Sequence, residues 1–540
     1  MIDAFWIPLL PPYLIGLVLS FLVEAILTPR PVAPWRRPLA AVGVHIGVWT
    51  LAFALELMLF RRPYFAVANV LAIELVIVLV SNAKYQALRE PFVYQDFEYF
   101  TDAIKHPRLY LPFFGVGRAL AAGGGYFLAL WAGLTMEESV TAGAGLWLAA
   151  FSELMQESVF APIALLVAFL SHSTAFAIAG LAIAWWAGKS LPNSSADVDA
   201  DLTRSGLIAT LWAYALEEKQ HLGDIVREHS PFGPIAAANK PPEQLPHLVV
   251  VQSESFVDAR RLYPHIRRDV LAQFDLLCAE SAVHGLLNVD TWGANTVRTE
   301  FAFLSGLPAS MLGVHRFNPY RKIASEGVPT IASYLKGLGY RTICVHPYHG
   351  EFYRRNRVLP LLGFDEFMDI SHFSDARRDG PYVGDLAVAE CVDRLLRDAG
   401  QPVYVHVITM ENHGPLHWEH VSQSEIAGLL EGPIPEGCED LLAYVRHLRN
   451  ADEMFARVAK ALQASARPGA MCVYGDHVPV MTKVYEQLGY PTGDTDFLIW
   501  QSHATRSAVS GKQYDSKVDE LARRFLEVAG VRAVRVPPAR

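Results

Sequence analysis

Three apolar runs crowd the amino-terminal part of this 540-residue chain: residues 5–27 (FWIPLLPPYLIGLVLSFLVEAIL), 38–60 (PLAAVGVHIGVWTLAFALELMLF) and 64–82 (YFAVANVLAIELVIVLVSN). Each is long enough to cross a hydrocarbon core of about 30 Å as a helix. Several such runs in series leave few options, because lipid offers backbone polar groups no partner and only helices satisfy them within one segment. The runs are too long and too many for a cleavable signal peptide. A mean hydropathy of +0.21 agrees, and the apolar residues concentrate in the first third.

Two further crossings are expected at about 111–134 and 159–187, giving five. The weakly apolar EESVTAGAGLWLAAFSELMQES between them reads as a loop, a surface helix or a sixth crossing. Residues 84–110 mix aromatics with both charge signs and read as interfacial. Glu24 and Glu56, costly in lipid, are expected to face the bundle interior or reach a headgroup region. Arg30, Arg36 and Arg37 follow the first span and Arg61 and Arg62 the second, so positive charge is nearly balanced across the membrane and does not fix orientation. A net charge of −9 gives no reason to expect nucleic acid as a partner. The five cysteines (278, 344, 391, 438, 472) have no CxxC spacing, which argues against a zinc ribbon or a disulfide framework.

Composition changes after Trp186. The polar stretch 190–206 marks a domain boundary, 207–229 is expected to form one helix, and 231–246 is a Pro-rich linker. The expected organisation is a transmembrane domain over 1–189, a linker with an interfacial helix over 190–246, and an extracytoplasmic catalytic domain over 247–540. In the last part short apolar runs (248–252, 342–346, 403–409, 471–474, 497–500) alternate with amphipathic helices at about 329–338, 384–399, 440–465 and 514–529. Buried parallel strands alternating with helices imply an α/β sheet between helical layers.

The chemistry is expected around Trp292–Gly306 (WGANTVRTEFAFLSG). Val297, Phe301 and Leu304 fall on one helical face, and Gly293, Ala294 and Asn295 form a turn into it, placing Thr296 at or beside the helix N-cap. Asn and Thr are also ordinary capping residues. Three strands, however, run into groups that bind metals or anions: Ser253-Glu254-Ser255-Phe256, Glu411-Asn412-His413-Gly414 and Gly475-Asp476-His477. In open α/β sheets such sites lie beyond the carboxyl ends of the strands, so these segments can converge. Glu254, Asp476 and His477, with the Thr296 hydroxyl as a possible fourth donor, suit Mn²⁺, Zn²⁺ or Mg²⁺. A second group, His346, His349, Tyr353, Arg354, Arg355 and Arg357, offers arginines to clamp phosphate and histidines for proton transfer, or is a solvated basic loop.

Together these motifs resemble lipoteichoic acid synthase and its relatives, membrane phosphoglycerol transferases of the alkaline phosphatase and sulfatase-like superfamily. The resemblance rests on Glu-Ser-Phe after an apolar strand, Thr296 four residues before Glu300-Phe301, His349-Gly350 followed by Tyr353 and Arg355, the Asn412-His413 loop and Gly475-Asp476-His477. It implies an α/β alkaline phosphatase/sulfatase-like domain with a mostly parallel sheet behind a polytopic helical domain, in a bacterial inner (plasma) membrane. It also implies Thr296 as nucleophile, Glu254, Thr296, Asp476 and His477 as ligands of a divalent metal, Mn²⁺ foremost, and His349, Tyr353, Arg355 and His413 as phosphoglycerol-binding residues. His346, Arg354 and Arg357 are further candidates. The implied reaction moves phosphoglycerol from phosphatidylglycerol, through a threonine ester, to an envelope glycan or polymer. A phosphoethanolamine transferase and a membrane-tethered phosphodiesterase stay open as alternatives, since the segment between His349 and Tyr353 is shorter than in the synthase and Tyr353 stands where it has tryptophan. No cysteine lies in the C/S-x-P-x-R context of true sulfatases, which argues against sulfate ester hydrolysis.

Overall fold

A computed structural model describes residues 9–105, 116–141, 161–195, 197–233, 244–502 and 512–531. The chain divides into two units, Met1–Gln220 and His221–Arg540. Among the described residues of the first unit, three helices are long and apolar enough to cross a membrane: Leu39–Phe60, Pro63–Leu88 and Leu166–Gly188. The helix in the first expected span, Leu10–Glu24, has 15 residues, about 22 Å at 1.5 Å per residue. Val116–Met136 forms a 21-residue helix where the fourth crossing was expected, whose first residues, 111–115, lie outside the described residues. Most of the ambiguous stretch before residue 159 also lies outside them.

Small residues let two of these helices touch. A Cβ on Gly47 would lie 2.4 Å from the Ala184 nitrogen and 2.7 Å from the Gly180 oxygen, so Leu39–Phe60 and Ala161–Gly188 meet backbone to backbone. Glu24 faces the interior as expected. It pairs with Arg37 and accepts a hydrogen bond from the Ile208 N–H at 3.1 Å. Arg37 is therefore a buried partner and not a free loop charge. Glu56 accepts from Asn69 Nδ2 at 2.7 Å. The expected single helix over 207–229 is instead two, Leu207–Glu217 and Gly223–His229, interrupted by a polar run that ends at Gly223.

The second unit is built on a nine-stranded sheet. Its main strands are β1 (His247–Ser253), β2 (Val283–Asn288), β3 (Arg341–Val345), β4 (Glu366–Met368), β7 (Val403–Ile408), β8 (Gly469–Gly475) and β9 (Thr495–Gln501), with a separate hairpin of β5 (Arg378–Asp379) and β6 (Tyr382–Val383). The order is β10-β2-β9-β8-β1-β7-β3-β4, where β10 is Lys512–Gln513, and β11 (Ser516–Lys517) also pairs with β2. The centre, β8-β1-β7-β3, is parallel. All seven residues of β1 are buried: Val249 and Val251 join one core, Leu248 and Val250 the other. Period-two alternation with apolar residues on both sides is what a strand covered on both faces requires.

One strand departs from the parallel expectation. β9, which contains 497–500, is antiparallel to both β8 and β2. The link from β8 returns at the same edge, where Thr495 Oγ1 donates to the Gly475 carbonyl at 2.8 Å, so the chain re-enters the sheet in reverse. β2 escapes a reading by apolar runs because its middle, His284-Gly285-Leu286, is only half-buried.

Candidate active site

Because β8, β1, β7 and β3 are parallel neighbours, the residues that leave them, Asp476, Glu254, Glu411 and His346, emerge at one edge of the sheet. Ligand atoms of Glu254, Asp476 and His477 lie within 4.8 Å of one another, and all three residues are buried. Asp476 Oδ1 accepts the backbone N–H groups of Ser255 (2.8 Å) and His477 (2.9 Å), while Oδ2 is buried with no hydrogen-bond partner. His477 Nδ1 lies 3.1 Å from the Val478 carbonyl, which assigns the N–H there and leaves the Nε2 lone pair, 3.4 Å from Asp476 Oδ2 and 3.6 Å from Glu254 Oε1, inside the cluster. Burial, and then the neighbouring Asp476, push the Glu254 carboxyl up to about 8. Crowded carboxylates, an orphaned oxygen and an oriented imidazole fit a divalent cation.

Thr296 opens the helix Thr296–Ser305, behind Asn295 in the left-handed region (φ 65°). Its Oγ1 lies 3.5 Å from His477 Nε2. The helix is tied to the cluster by Thr299, whose hydroxyl donates to the Asp476 carbonyl at 2.8 Å. Gly475 is needed here, since a Cβ would lie 2.0 Å from the Phe256 carbonyl.

The cleft that Thr296 lines is also lined by Phe352, Tyr353, Arg355, His413 and His346. Arg355 is buried, donating to Glu300 Oε2 at 2.8 Å, and its Cζ lies 5.2 Å from the Tyr353 ring centre. Burial and the Gly414 carbonyl act on His413: burial pushes its pKa down, and Nδ1 lies 2.8 Å from that oxygen. His346 differs from the proton-transfer role expected of it. Its Nδ1 lies 3.1 Å from the Ile408 carbonyl and its Nε2 3.2 Å from Arg355 Nη1. Burial, then the arginine charge, hold its pKa well below the usual range, so the imidazole is neutral with both nitrogens engaged. His349, Arg354 and Arg357 are exposed and are not among the residues lining the cleft.

Backbone strain gathers at the same place. Among the described residues of the second unit, the non-glycine residues with positive φ are Ser255, Asn295, Tyr353 and Arg354, each at or next to a site residue. Such conformations cost about 1–3 kcal/mol each and persist where surrounding contacts enforce them.

Sequence reading named Ser255, Glu300 and Glu411 within motifs without assigning them a role, and missed Thr299, Tyr320 and the partners of Glu411 in a cluster behind His413. The one signal was Glu300, an acid one turn after Thr296 on the same helix face. In the cluster, Glu411 Oε2 accepts the Asp385 N–H (2.6 Å), and His447 reaches Glu411 Oε1 (2.6 Å) and Glu419 Oε2 (3.0 Å). Burial opposes charge on His447, but the two carboxylates prevail and raise its pKa to about 9. A histidine raised in the folded state stabilises fully below its ordinary value near 6.5, and that contribution is lost as pH rises through about 9. The thermal unfolding midpoint of the purified protein should therefore fall between pH 6.5 and 9.5, and His447→Gln should flatten that part of the profile.

A sulfatase family model matches residues 246–531, the whole of the sheet and both helical layers. The chain belongs to the sulfatase family. As a sulfatase-family protein it is 31% identical over 271 residues to the capsular polysaccharide biosynthesis protein RkpI of Rhizobium meliloti (49% of this chain, 47% of that protein). It is 26% identical over 149 residues to lipoteichoic acid synthase 1 of Bacillus subtilis (26% of this chain, 21% of that protein). The chain thus spans less than half the length of these curated relatives. The integral membrane lipooligosaccharide phosphoethanolamine transferase A of Neisseria meningitidis matches 90% of this chain and 87% of its own, at 14% identity and a TM-score of 0.52. That likeness extends the shared fold, a helical membrane part with an alkaline phosphatase/sulfatase-like domain, over most of the chain. Family membership describes the scaffold, and the reaction has to be argued from the site.

Proposed function

We propose that this sulfatase-family protein is a membrane phosphoglycerol transferase, moving phosphoglycerol from phosphatidylglycerol to an envelope glycan or polymer at the outer face of a bacterial inner membrane. The placing of the Thr296 hydroxyl 3.5 Å from His477 Nε2, at the rim of a buried three-ligand cluster, carries the reading. When bound by Glu254, Asp476 and His477, with Thr296 as a fourth donor, a divalent cation (Mn²⁺ foremost, Zn²⁺ or Mg²⁺ as alternatives) supplies a lowered hydroxyl pKa and offsets phosphoryl charge.

The chain's own groups do the rest. Thr296 Oγ1 attacks phosphorus, the bond to the diacylglycerol oxygen breaks, and diacylglycerol leaves with a proton. Phosphoglycerol stays as a threonine ester, held by Arg355. An acceptor hydroxyl then forms the new P–O bond as the Thr296 ester bond breaks, and the proton the acceptor gives up restores the Thr296 hydroxyl. His413, kept neutral by burial, is the base suited to take the acceptor's proton. In phosphoryl transfer of this kind positioning and charge do most of the catalytic work. A two-chain donor that stays in the bilayer gives the apolar helices their purpose.

Phosphoglycerol is favoured over phosphoethanolamine by the cleft wall. Among the described lining residues the one acid is Glu254, already committed to the metal cluster, so no carboxylate is left to pair with an ammonium. Detergent-purified protein with Mn²⁺ is expected to release labelled diacylglycerol from phosphatidylglycerol with kcat/KM at least about tenfold above that for phosphatidylethanolamine, roughly what one lost ionic contact is worth. The opposite preference would overturn the donor and keep the nucleophile; release from neither lipid by folded, metal-loaded protein would overturn the lipid reading.

A further inference from the structure

We propose that Glu300 is a positioning residue for phosphoryl transfer: standing on the nucleophile's own helix, its carboxylate fixes the Arg355 guanidinium at the distance from Thr296 that the attacked phosphoryl group requires. The inference rests on Thr296 and Arg355 acting as proposed above.

Thr296 and Glu300 are i and i+4 on one helix, neighbours one turn apart on the same face. Glu300 is fully buried. It takes a hydrogen bond from the Tyr320 hydroxyl on Oε1 and from Arg355 Nη2 on Oε2 at 2.8 Å. Arg355 Nη1 lies 3.2 Å from His346 Nε2, and His346 is fixed in turn to the Ile408 carbonyl at the end of β7. Both terminal nitrogens of the guanidinium are thus held by protein. Nε is buried and has no protein partner. Arg355 lines the cleft with Thr296, and its five N–H donors exceed these two hydrogen bonds, which leaves donors for a phosphoryl oxygen.

The backbone explains why a tether is needed. Tyr353 (φ 53°) and Arg354 (φ 56°) are consecutive left-handed residues, an arrangement bulky side chains avoid, and they deliver Tyr353 and Arg355 to the cleft wall. Glu300 ties that turn to the nucleophile's helix by a direct hydrogen bond from Arg355. A purely stabilising role explains the pair poorly, because buried ion pairs seldom improve on apolar packing of the same volume. A rigid link between nucleophile and phosphate clamp uses what such a pair does provide, a fixed geometry.

The test uses the full detergent-purified chain with Mn²⁺, comparing wild type, Glu300→Gln, Glu300→Ala, Tyr320→Phe, Arg355→Ala and the Glu300→Gln/Arg355→Ala double variant. Rates are read on phosphatidylglycerol and on bis(p-nitrophenyl) phosphate, with inhibition by inorganic phosphate and Mn²⁺ affinity by calorimetry alongside. Glu300→Gln is expected to lower kcat/KM about 10- to 100-fold, mostly in kcat, and to weaken phosphate inhibition about tenfold, with Mn²⁺ affinity within twofold of wild type. Glu300→Ala should lose more, and Tyr320→Phe, which removes one donor to Glu300, a few-fold. In the Arg355→Ala background Glu300→Gln should add less than about twofold, since its effect passes through that arginine. Wild-type kinetics and phosphate inhibition in folded Glu300→Gln would overturn the proposal, as would fully additive losses in the double variant. If Glu300→Ala does not fold, Glu300→Gln and Tyr320→Phe still decide. If the wild type cleaves the soluble diester but neither lipid, the lipid-donor reading fails while the role of Glu300 is still measured on the diester.

Discussion

Thr296→Ala should abolish diacylglycerol release, lowering kcat by about 10⁴-fold or more, the scale seen when a nucleophile is removed from an otherwise intact site. The fold should survive the change. Thr296 is the first residue of its helix, the helix is anchored to the cluster through Thr299, and no side-chain cap bond comes from Asn295. The thermal midpoint is therefore expected within about 2 °C of wild type, an effect of under about 0.5 kcal/mol. Thr296→Ser keeps the hydroxyl and should retain measurable activity. Mass spectrometry of protein incubated with phosphatidylglycerol and no acceptor should find phosphoglycerol on the peptide carrying Thr296, and none in the alanine variant. An alanine variant within tenfold of wild type would remove Thr296 from the mechanism.

Asp476 carries the second large effect, and two substitutions separate its two functions. Oδ1 accepts the N–H groups of Ser255 and His477, whereas Oδ2 has no protein partner. Asp476→Ala should lose both metal and structure, because each buried N–H left without an acceptor costs about 1–3 kcal/mol. Asp476→Asn keeps an oxygen for those donors, so it should fold with a metal-free midpoint close to wild type, yet lose at least about 10³-fold in activity with the metal. Treating wild type with chelator should give the same loss, reversed by Mn²⁺. Metal at about 100 times its Kd should stabilise the wild type by about 2.7 kcal/mol, a rise of a few degrees in midpoint that the asparagine variant does not show. Equal stabilisation of both proteins by Mn²⁺ would place the cation elsewhere.

Much of this was readable in the chain because the signals were local. The apolar runs announced a membrane part, and mostly apolar, valine-rich segments such as Leu248–Gln252 announced strands covered on both faces, since each face needs its own apolar set. Chemistry-bearing residues directly after such strands could be expected to meet, because parallel neighbours end at one edge. Less was readable where a residue's meaning depends on a distant partner. Phe497–Trp500 looks like any buried strand, and its reversed direction follows from how the chain returns beside Gly475. His346 and the arginines of 354–357 look alike on paper, yet burial and the left-handed turn at Tyr353 and Arg354 send Arg355 inward and leave Arg354 and Arg357 in solvent.

By itself, then, the sequence determined the class of its strongly patterned segments and named the nucleophile and ligand candidates, since periodicity and residue chemistry are properties of short stretches. Tertiary structure alone decided which oxygen of Asp476 is left without a partner, which tautomer His346 and His477 adopt, and that Glu300 holds Arg355. Those are properties of charges and donors forced together out of water, where each buried polar atom must find a partner, and beyond the adjacent His477 and Val478 the partners lie 9 to 221 residues away in the chain.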